Sequence, residues 1–506
     1  MSKSLPTRAL RQALLTACAA LVLAGCAAVG PNFRSPSLDA ATADKGYLAP
    51  DEDRGSGPSR ARIGEKVAAE WWTLFHSPVL DGWVREAIAG SPTLEAARAK
   101  LAQARDATGA EGSLFSADLT GGAKREQANL NAFSGGAFSK PFSSGGLTLP
   151  SFPTNPQFNL YSIGGTVSYN LDLFGGVKRR RESLAASAEA EARELDAAYL
   201  TLTGKVVEQA LTIGDANVEL RALQDIVGSD QDNLRIVRAA RAAGGATTVQ
   251  VAQAEGQLSQ DQSAIPQQQQ RLAAARHRLA ALLGKTPAEF ALPEFDERSS
   301  ILPLGLPVAV PSALVHNRPD ILEAEARLHA ATADIGVATA DLYPNITLSA
   351  GLAQDALSPQ TLFSPASTSW NFGAGLTAPL FHGGELHARK REAEDARRAA
   401  AANYKQTVLA AFNQVADALT AIAHDNAAYA EQTRALDAAA ARVEMLRRAR
   451  KLGGVSDMQL VEAERDLRRT RLLLQQQGSG RYGDAAILLL ATANVPAGAA
   501  EAKTAP

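Results

Sequence analysis

Few side chains in this 506-residue chain stand at a spacing suited to covalent or metal chemistry. Gly284-Lys285-Thr286 has the ending of a phosphate loop, where backbone N–H groups cradle a phosphate and the lysine offsets its charge. Leu279, however, occupies the place of the loop's first glycine. His382 and His387 are five residues apart, off a common helical face, and belong to no zinc-protease motif. The seven histidines are otherwise scattered, and no Gly-x-Ser-x-Gly elbow occurs. Both cysteines, Cys18 and Cys26, lie in the first 26 residues. The body therefore has no disulfide framework, thiolate metal site or cysteine nucleophile. The sequence predicts no catalytic group, no metal and no cofactor.

Cys26 has a different chemistry. Lys3, Arg8 and Arg11 form a positive region, and Gln12 to Ala24 is an apolar stretch too short to span a membrane. It ends in Leu23-Ala24-Gly25-Cys26, which resembles the bacterial lipoprotein signal, in which the cysteine becomes the acylated first residue after cleavage. Residues 1–25 read as the signal peptide. Several acyl chains on one residue give stable anchoring. Ala27 follows where an aspartate would favour the inner membrane, so outer-membrane sorting is expected. Residues 26–66 read as a flexible tether, Pro-, Gly-, Ser- and Asp-rich from Arg34.

The rest is architecture, one pattern written twice. Ser91-Pro92-Thr93-Leu94 aligns with Arg318-Pro319-Asp320-Ile321, Gly175-Gly176 with Gly383-Gly384, and Gly244-Gly245 with Gly453-Gly454, at offsets of 208 to 227. The first repeat covers 67–284 and the second 312–492. A proline-rich linker, 285–311, joins them, and a disordered tail, 493–506, follows. Each repeat reads short helix, strand, loop, strand, long helix, turn, long helix. Four segments alternate apolar and polar residues: Phe115–Thr120, Tyr161–Leu173, Ile346–Ala350 and Trp370–Leu380. A soluble sandwich and a transmembrane barrel both produce that alternation. The helices decide between them. Gly176–Ala243 and Gly384–Leu452 keep helical periodicity without proline. At about 1.5 Å per residue each is roughly 100 Å long, more than a globular domain holds. The partner helices are Ala246 to about Leu283, bent by Pro266, and Val455 to about Leu490. Thr93–Gly109 and Asp320–Ala340 are the short helices.

Composition agrees with thin helical seams, at 46% apolar but only 5% aromatic residues. A net charge of −2 excludes a general nucleic-acid footprint, and no apolar run near 20 residues follows the N-terminus. Four strands cannot enclose a lumen, and open strand edges in lipid cost several kcal/mol per unsatisfied group. Several chains must therefore pool strands. Two chains give a filled barrel, while three leave room for water.

The lipobox, Gly30-Pro31-Asn32-Phe33, the duplicated body, Asp172-Leu173-Phe174-Gly175 and Pro379-Leu380-Phe381-His382-Gly383-Gly384 together resemble the outer membrane factor family, the TolC-like and OprM-like efflux channels, in their lipoprotein, NodT-type branch. The resemblance covers about residues 26–492. It implies an α+β membrane protein, a homotrimer whose twelve-stranded transmembrane β-barrel is continued by a twelve-helix periplasmic α-barrel. Such members are exit ducts of tripartite exporters, joined to a periplasmic adaptor (membrane fusion protein) and an inner-membrane pump of RND, MFS or ABC type. Adaptor docking then falls to the tips, Gly244, Gly245, Gly453 and Gly454. The segment after the second tip resembles the family's tunnel constriction. It puts Met458 at the apolar position and Glu462 at the main acidic one, with Asp457 beside them and Gln459 where some members have a second acid.

Lys178-Arg179-Arg180-Arg181 and Arg389-Lys390-Arg391 occupy matching places just below a strand in each repeat, where outer-membrane lipid headgroups or plain solvent would meet them. The loops Glu126–Phe158 and Asp355–Ser369 are expected outside the cell. A pump-independent diffusion pore and a surface coiled-coil structural protein are the competing readings. Only three methionines occur, so a methionine relay for copper or silver has no support.

Overall fold

The computed structural model describes residues 28–36, 47, 62–65, 67–111, 114–127, 142–144, 147–149, 157–291, 295, 302–303, 305–308, 311–493 and 495. The expected signal peptide, Cys26, and most of the loop 126–158 lie outside the described residues. In chain order the elements are β1 (Arg62–Ile63), α1 (Pro78–Gly90), α2 (Pro92–Ala110), β2 (Phe115–Gln127), β3 (Phe142–Ser144), β4 (Leu147–Leu149), β5 (Gln157–Asn170), α3 (Gly176–Ala242) and α4 (Thr248–Leu282). They continue as β6 (Pro307–Val308), α5 (Pro311–Asn317), α6 (Pro319–Ala340), β7 (Asn345–Ala356), β8 (Thr368–Thr377), α7 (Glu385–Lys451) and α8 (Asp457–Thr492). Two compact units emerge, 1–33 with 106–185 and 329–398, and 34–105 with 186–328 and 399–506.

The first unit holds an antiparallel sheet of order β2-β5-β7-β8. Its register puts Leu119, Gly165, Leu352 and Trp370 in one row and Ala117, Val167, Ala350 and Phe372 in a second. Rows two residues apart share a face, and this face is bare, with Leu119 79%, Trp370 78% and Phe372 72% exposed. The other face carries Ser116, Asp118, Thr166, Ser168, Ser349, Asn371 and Gly373. The strands run 13, 14, 12 and 10 residues, against the about 9–11 that cross a bilayer. β2 outruns its apolar alternation because Lys124 to Gln127 stay in register with Gln157 to Leu160. Among the described residues β2 and β8 have free outer edges. The small hairpin β3-β4 falls within the loop 126–158, and two 3-10 turns, Pro359–Thr361 and Pro365–Ser367, within the loop 355–369.

The second unit is helical. α3 and α7 are 67 residues each, and Pro266 lies inside an uninterrupted α4. The core gathers on a feature the periodicity did not single out, the 3-10 turn Trp71–Phe75. Trp71, Trp72 and Phe75 are fully buried, with Trp72 against Tyr199 and Trp83 against Phe295. The tether and tail are also less free than expected. β1 pairs in parallel with β6 of the linker, Val67 bridges to Ala493, and Ala493 and Val495 are buried. These short extended pieces satisfy one another's backbone groups, which burial makes obligatory.

Candidate functional site

Two hairpin tips of the second unit carry the same local chemistry. Gly244 (φ 79°) and Gly453 (φ 76°) take the left-handed region, which glycine enters at no steric cost. The N–H of Gly244 donates to Arg241 O at 2.9 Å, and that of Gly245 to Ala240 O at 2.8 Å. Gly453 and Gly454 repeat this on Arg450 O (3.0 Å) and Ala449 O (2.9 Å). This pair of bonds closes a helix end with its last carbonyls satisfied. Thr247 and Ser456 then cap α4 and α8, and Gln250 and Gln459 complete a capping box on each. A matching arginine–glutamate pair braces each hairpin: Arg238 Nη2 lies 2.6 Å from Glu255 Oε1, and Arg447 Nη2 lies 2.8 Å from Glu464 Oε1. Val249 at the first tip and Leu452 at the second are 65% and 87% exposed.

The four residues expected at a constriction have separate placements. Gln459 Oε1 accepts the Ser456 N–H at 3.0 Å, so that side chain is committed to the cap. Arg450 Nη2 donates across the turn to Asp457 Oδ2 at 2.6 Å. That hydrogen bond holds the Asp457 carboxyl below the usual carboxylate range. Met458 is the residue expected on an apolar ring. It is half-buried against Leu234, Val237, Val251 and Ala254 of its own chain's first hairpin. Glu462 is exposed.

Behind the second tip, an ionic cluster fastens α8 to α3 and α4. Arg465 Nε lies 3.0 Å from Asp230 Oδ1, out of line for a hydrogen bond, while Arg465 Nη2 donates to Asp261 Oδ2 at 3.4 Å. Arg469 Nη2 donates to Asp261 Oδ1 at 3.1 Å and Gln257 Nε2 to Asp261 Oδ2 at 2.9 Å. Burial, together with the Asp261 carboxylate, pushes Asp230 up to about 6. Burial raises Asp261 as well, but the neighbouring Asp230 and the hydrogen bonds from Gln257 and Arg469 bring it below its ordinary value. Sequence spacing held no sign of this cluster, since Asp230 and Arg465 lie in different repeats.

The basic runs divide in the first unit. Lys178, Arg180, Arg389 and Arg391 are exposed. Arg179 is buried, contrary to a headgroup role. Its guanidinium donates to the carbonyls of Ala28 (3.4 Å), Val29 (3.0 Å) and Gly30 (3.3 Å) and to Asn32 Oδ1 (2.7 Å), and it pairs with Glu182 at 2.8 Å. The Val29 N–H donates to Phe174 O at 3.0 Å, and Phe33 stacks on His329 with centroids 4.4 Å apart. Gly30 (φ 89°) leaves no room for a side chain, since a Cβ there would lie 2.5 Å from Gly336 Cα. The start of the expected tether is thus a clamped segment. An arginine is buried because three distant carbonyls and an amide oxygen satisfy it.

A family model described as "Outer membrane efflux protein" matches residues 83–285 and 310–485. The chain is 27% identical over 460 residues to the probable outer membrane lipoprotein SilC of Salmonella typhimurium, covering 90% of this chain and 92% of that one. It is 28% identical over 458 residues to nodulation protein T of Rhizobium leguminosarum bv. trifolii, covering 90% and 91%. Its fold is similar to that of the outer-membrane channel OprN, with a TM-score of 0.78 at 25% identity, covering 92% of this chain and 99% of that one.

Proposed function

The chain belongs to the outer membrane efflux protein family, and from that premise we propose how its parts serve as the outer-membrane exit duct of a tripartite efflux system. The observation that carries this reading is the four-stranded sheet, with a bare apolar face, a small polar face and two free edges. In lipid those edges must be paired. Three chains supply twelve strands, each β2 edge meeting a neighbour's β8. The apolar rows face lipid and the polar rows water, the pattern of a transmembrane barrel. The passage is lined by small polar groups and needs no catalytic residue. Drugs or other small molecules pass outward through it.

The tips dock a periplasmic adaptor, which links the duct to an inner-membrane pump of RND, MFS or ABC type. Val249 and Leu452 are the apolar contacts available there. Glu462, exposed on α8, supplies an acidic ring at the tunnel mouth, where three carboxylates favour cations. Met458 acts from behind that ring, by holding α8 against the first hairpin. Lys178, Arg180, Arg389 and Arg391 meet lipid headgroups.

Cross-linking in cells tests the docking. Cysteine at Val249 and at Leu452 is expected to capture one periplasmic adaptor from both positions. Deleting the gene is expected to sensitise the cell to exported compounds. In planar bilayers Glu462→Ala is expected to raise single-channel conductance. Cross-links only between copies of this chain, with unchanged sensitivity, would overturn the assignment.

A further inference from the structure

The clamped segment Ala28–Phe33 forms one wall of a groove of about 520 Å³. Gly30 and Pro31 stand on that side, and Lys390, Glu394, Arg397 and Arg398 of α7 stand opposite. Three cations face one carboxylate. Lys390 Nζ is 3.9 Å from Glu394, a loose contact, and Arg398 leans on Asp395. Arg397 makes no ion pair among the described residues, so the groove keeps an excess of positive charge with a guanidinium fork to spare. Such a fork takes phosphate oxygens two at a time.

The wall fixes where that charge sits. Ala28 is tied to Arg179, and Gly175 is packed so closely on it that a Cβ at Gly175 would lie 2.5 Å from Ala28 Cβ. Cys26 is two residues earlier, a reach of about 7 Å of extended chain. On the reading of Cys26 as acylated, its anchor is tethered within that reach of Ala28.

We propose that the groove binds the phosphate of an anionic phospholipid headgroup, held next to the protein's own acyl anchor. This rests on the reading of Cys26 as acylated, and it goes beyond the exposed cations by naming a groove, its ligand chemistry and Arg397 as its principal contact. The clamp builds the site as well as the anchor point, because releasing Gly30 and Pro31 removes one of its walls.

The test uses the full-length protein reconstituted into nanodiscs of phosphatidylethanolamine with a minor share of phosphatidylglycerol. Bound lipid is counted by native mass spectrometry. The native protein is expected to retain phosphatidylglycerol preferentially. Arg397→Gln should weaken that retention about tenfold, and Arg397→Lys, which keeps charge but loses the fork, by less. Arg434→Gln, an exposed cation of the helical unit, should retain lipid like the native protein. Equal retention by Arg397→Gln and the native protein would overturn the site, as would equal loss in Arg434→Gln. Millimolar inorganic phosphate is expected to leave the lipid in place. Its displacement of the lipid would overturn the lipid assignment in favour of free phosphate. The acyl mass on the Cys26 peptide is read separately, so failure of the anchor reading is distinguishable from failure of the groove.

Discussion

The two hairpin tips are duplicates at their turns and unlike a few residues behind them. Gly-Gly, capping box and arginine–glutamate brace recur at a constant offset of 209: Gly244 and Gly453, Gln250 and Gln459, Arg238 and Arg447, Glu255 and Glu464. The cluster that joins the hairpins does not recur. Asp230 and Asp261 come from the first repeat and Arg465 and Arg469 from the second. The corresponding places hold Ala439, Thr470, Gly256 and Gln260. Met458 is half-buried, whereas its counterpart Val249 is 65% exposed. Reversing a helix demands one geometry, so both copies satisfy it alike. Gripping a second hairpin demands complementarity, and complementary surfaces must differ in sign and shape.

That asymmetry predicts the largest effect. Arg465→Ala removes the cation from Asp230, which is 2% exposed, and breaking such a buried pair costs about 3 kcal/mol. Chemical denaturation of the reconstituted protein should show it, with Arg469→Ala, at a more open position, losing less. A pH dependence accompanies it. Asp230 titrates at about 6 against an ordinary 3.8, facing Asp261, Arg465 and Arg469. The folded protein therefore holds more protons than the unfolded chain between those values. Its contribution to stability is complete below about pH 4 and is lost as pH rises through about 6. Asp230→Asn should flatten that limb. A limb that persists in this variant would show that another group is titrating.

The same contrast separates what could be read in the chain from what could not. Helix limits, tips and the duplication were legible because each is local. Gly-Gly at the end of a proline-free apolar period specifies a stop, whereas the capping boxes at Thr247 and Ser456, which start the partner helices one or two residues later than the periodicity placed them, came only with the structure. The strands were legible as alternation, but β2 extends to Gln127 because its partner strand carries it on. Arg179 looked like one member of a solvated basic run, since the carbonyls that bury it lie about 150 residues away. The Asp230–Arg465 contact and the packing of Met458 were hidden for the same reason: neither partner implies the other until the hairpins meet.

A smaller effect sharpens the resemblance of the turns. Gly453→Val and Gly244→Val force a β-branched residue into left-handed backbone, at a cost of about 1–2 kcal/mol each. Gly454→Ala and Gly245→Ala should be close to neutral, because neither glycine has positive φ and the nearest atom to an added Cβ is a carbonyl 3.5 Å away. Thermal midpoints of the four variants should fall into two matched pairs. Unequal losses for Gly453→Val and Gly244→Val would mean that the ionic cluster behind the second tip also stabilises its turn.

The smallest effect concerns the caps. Thr247→Ala and Ser456→Ala each remove a side-chain acceptor from the first turn of a helix, at about 1 kcal/mol. Ser456→Ala also removes the hydroxyl that donates to Gln459 Oε1 at 3.3 Å, while the backbone N–H at 456 still donates to that oxygen. If Gln459 served the passage rather than the cap, Gln459→Ala would change conductance and leave stability alone. The capping geometry predicts the reverse. Stability should fall by an amount similar to that for Gln250→Ala, its counterpart at the first tip, while conductance stays unchanged. The comparison between the tips thus reaches single side chains, since two glutamines in the same turn must behave alike even though only one lies six residues before Arg465 and three before Glu462.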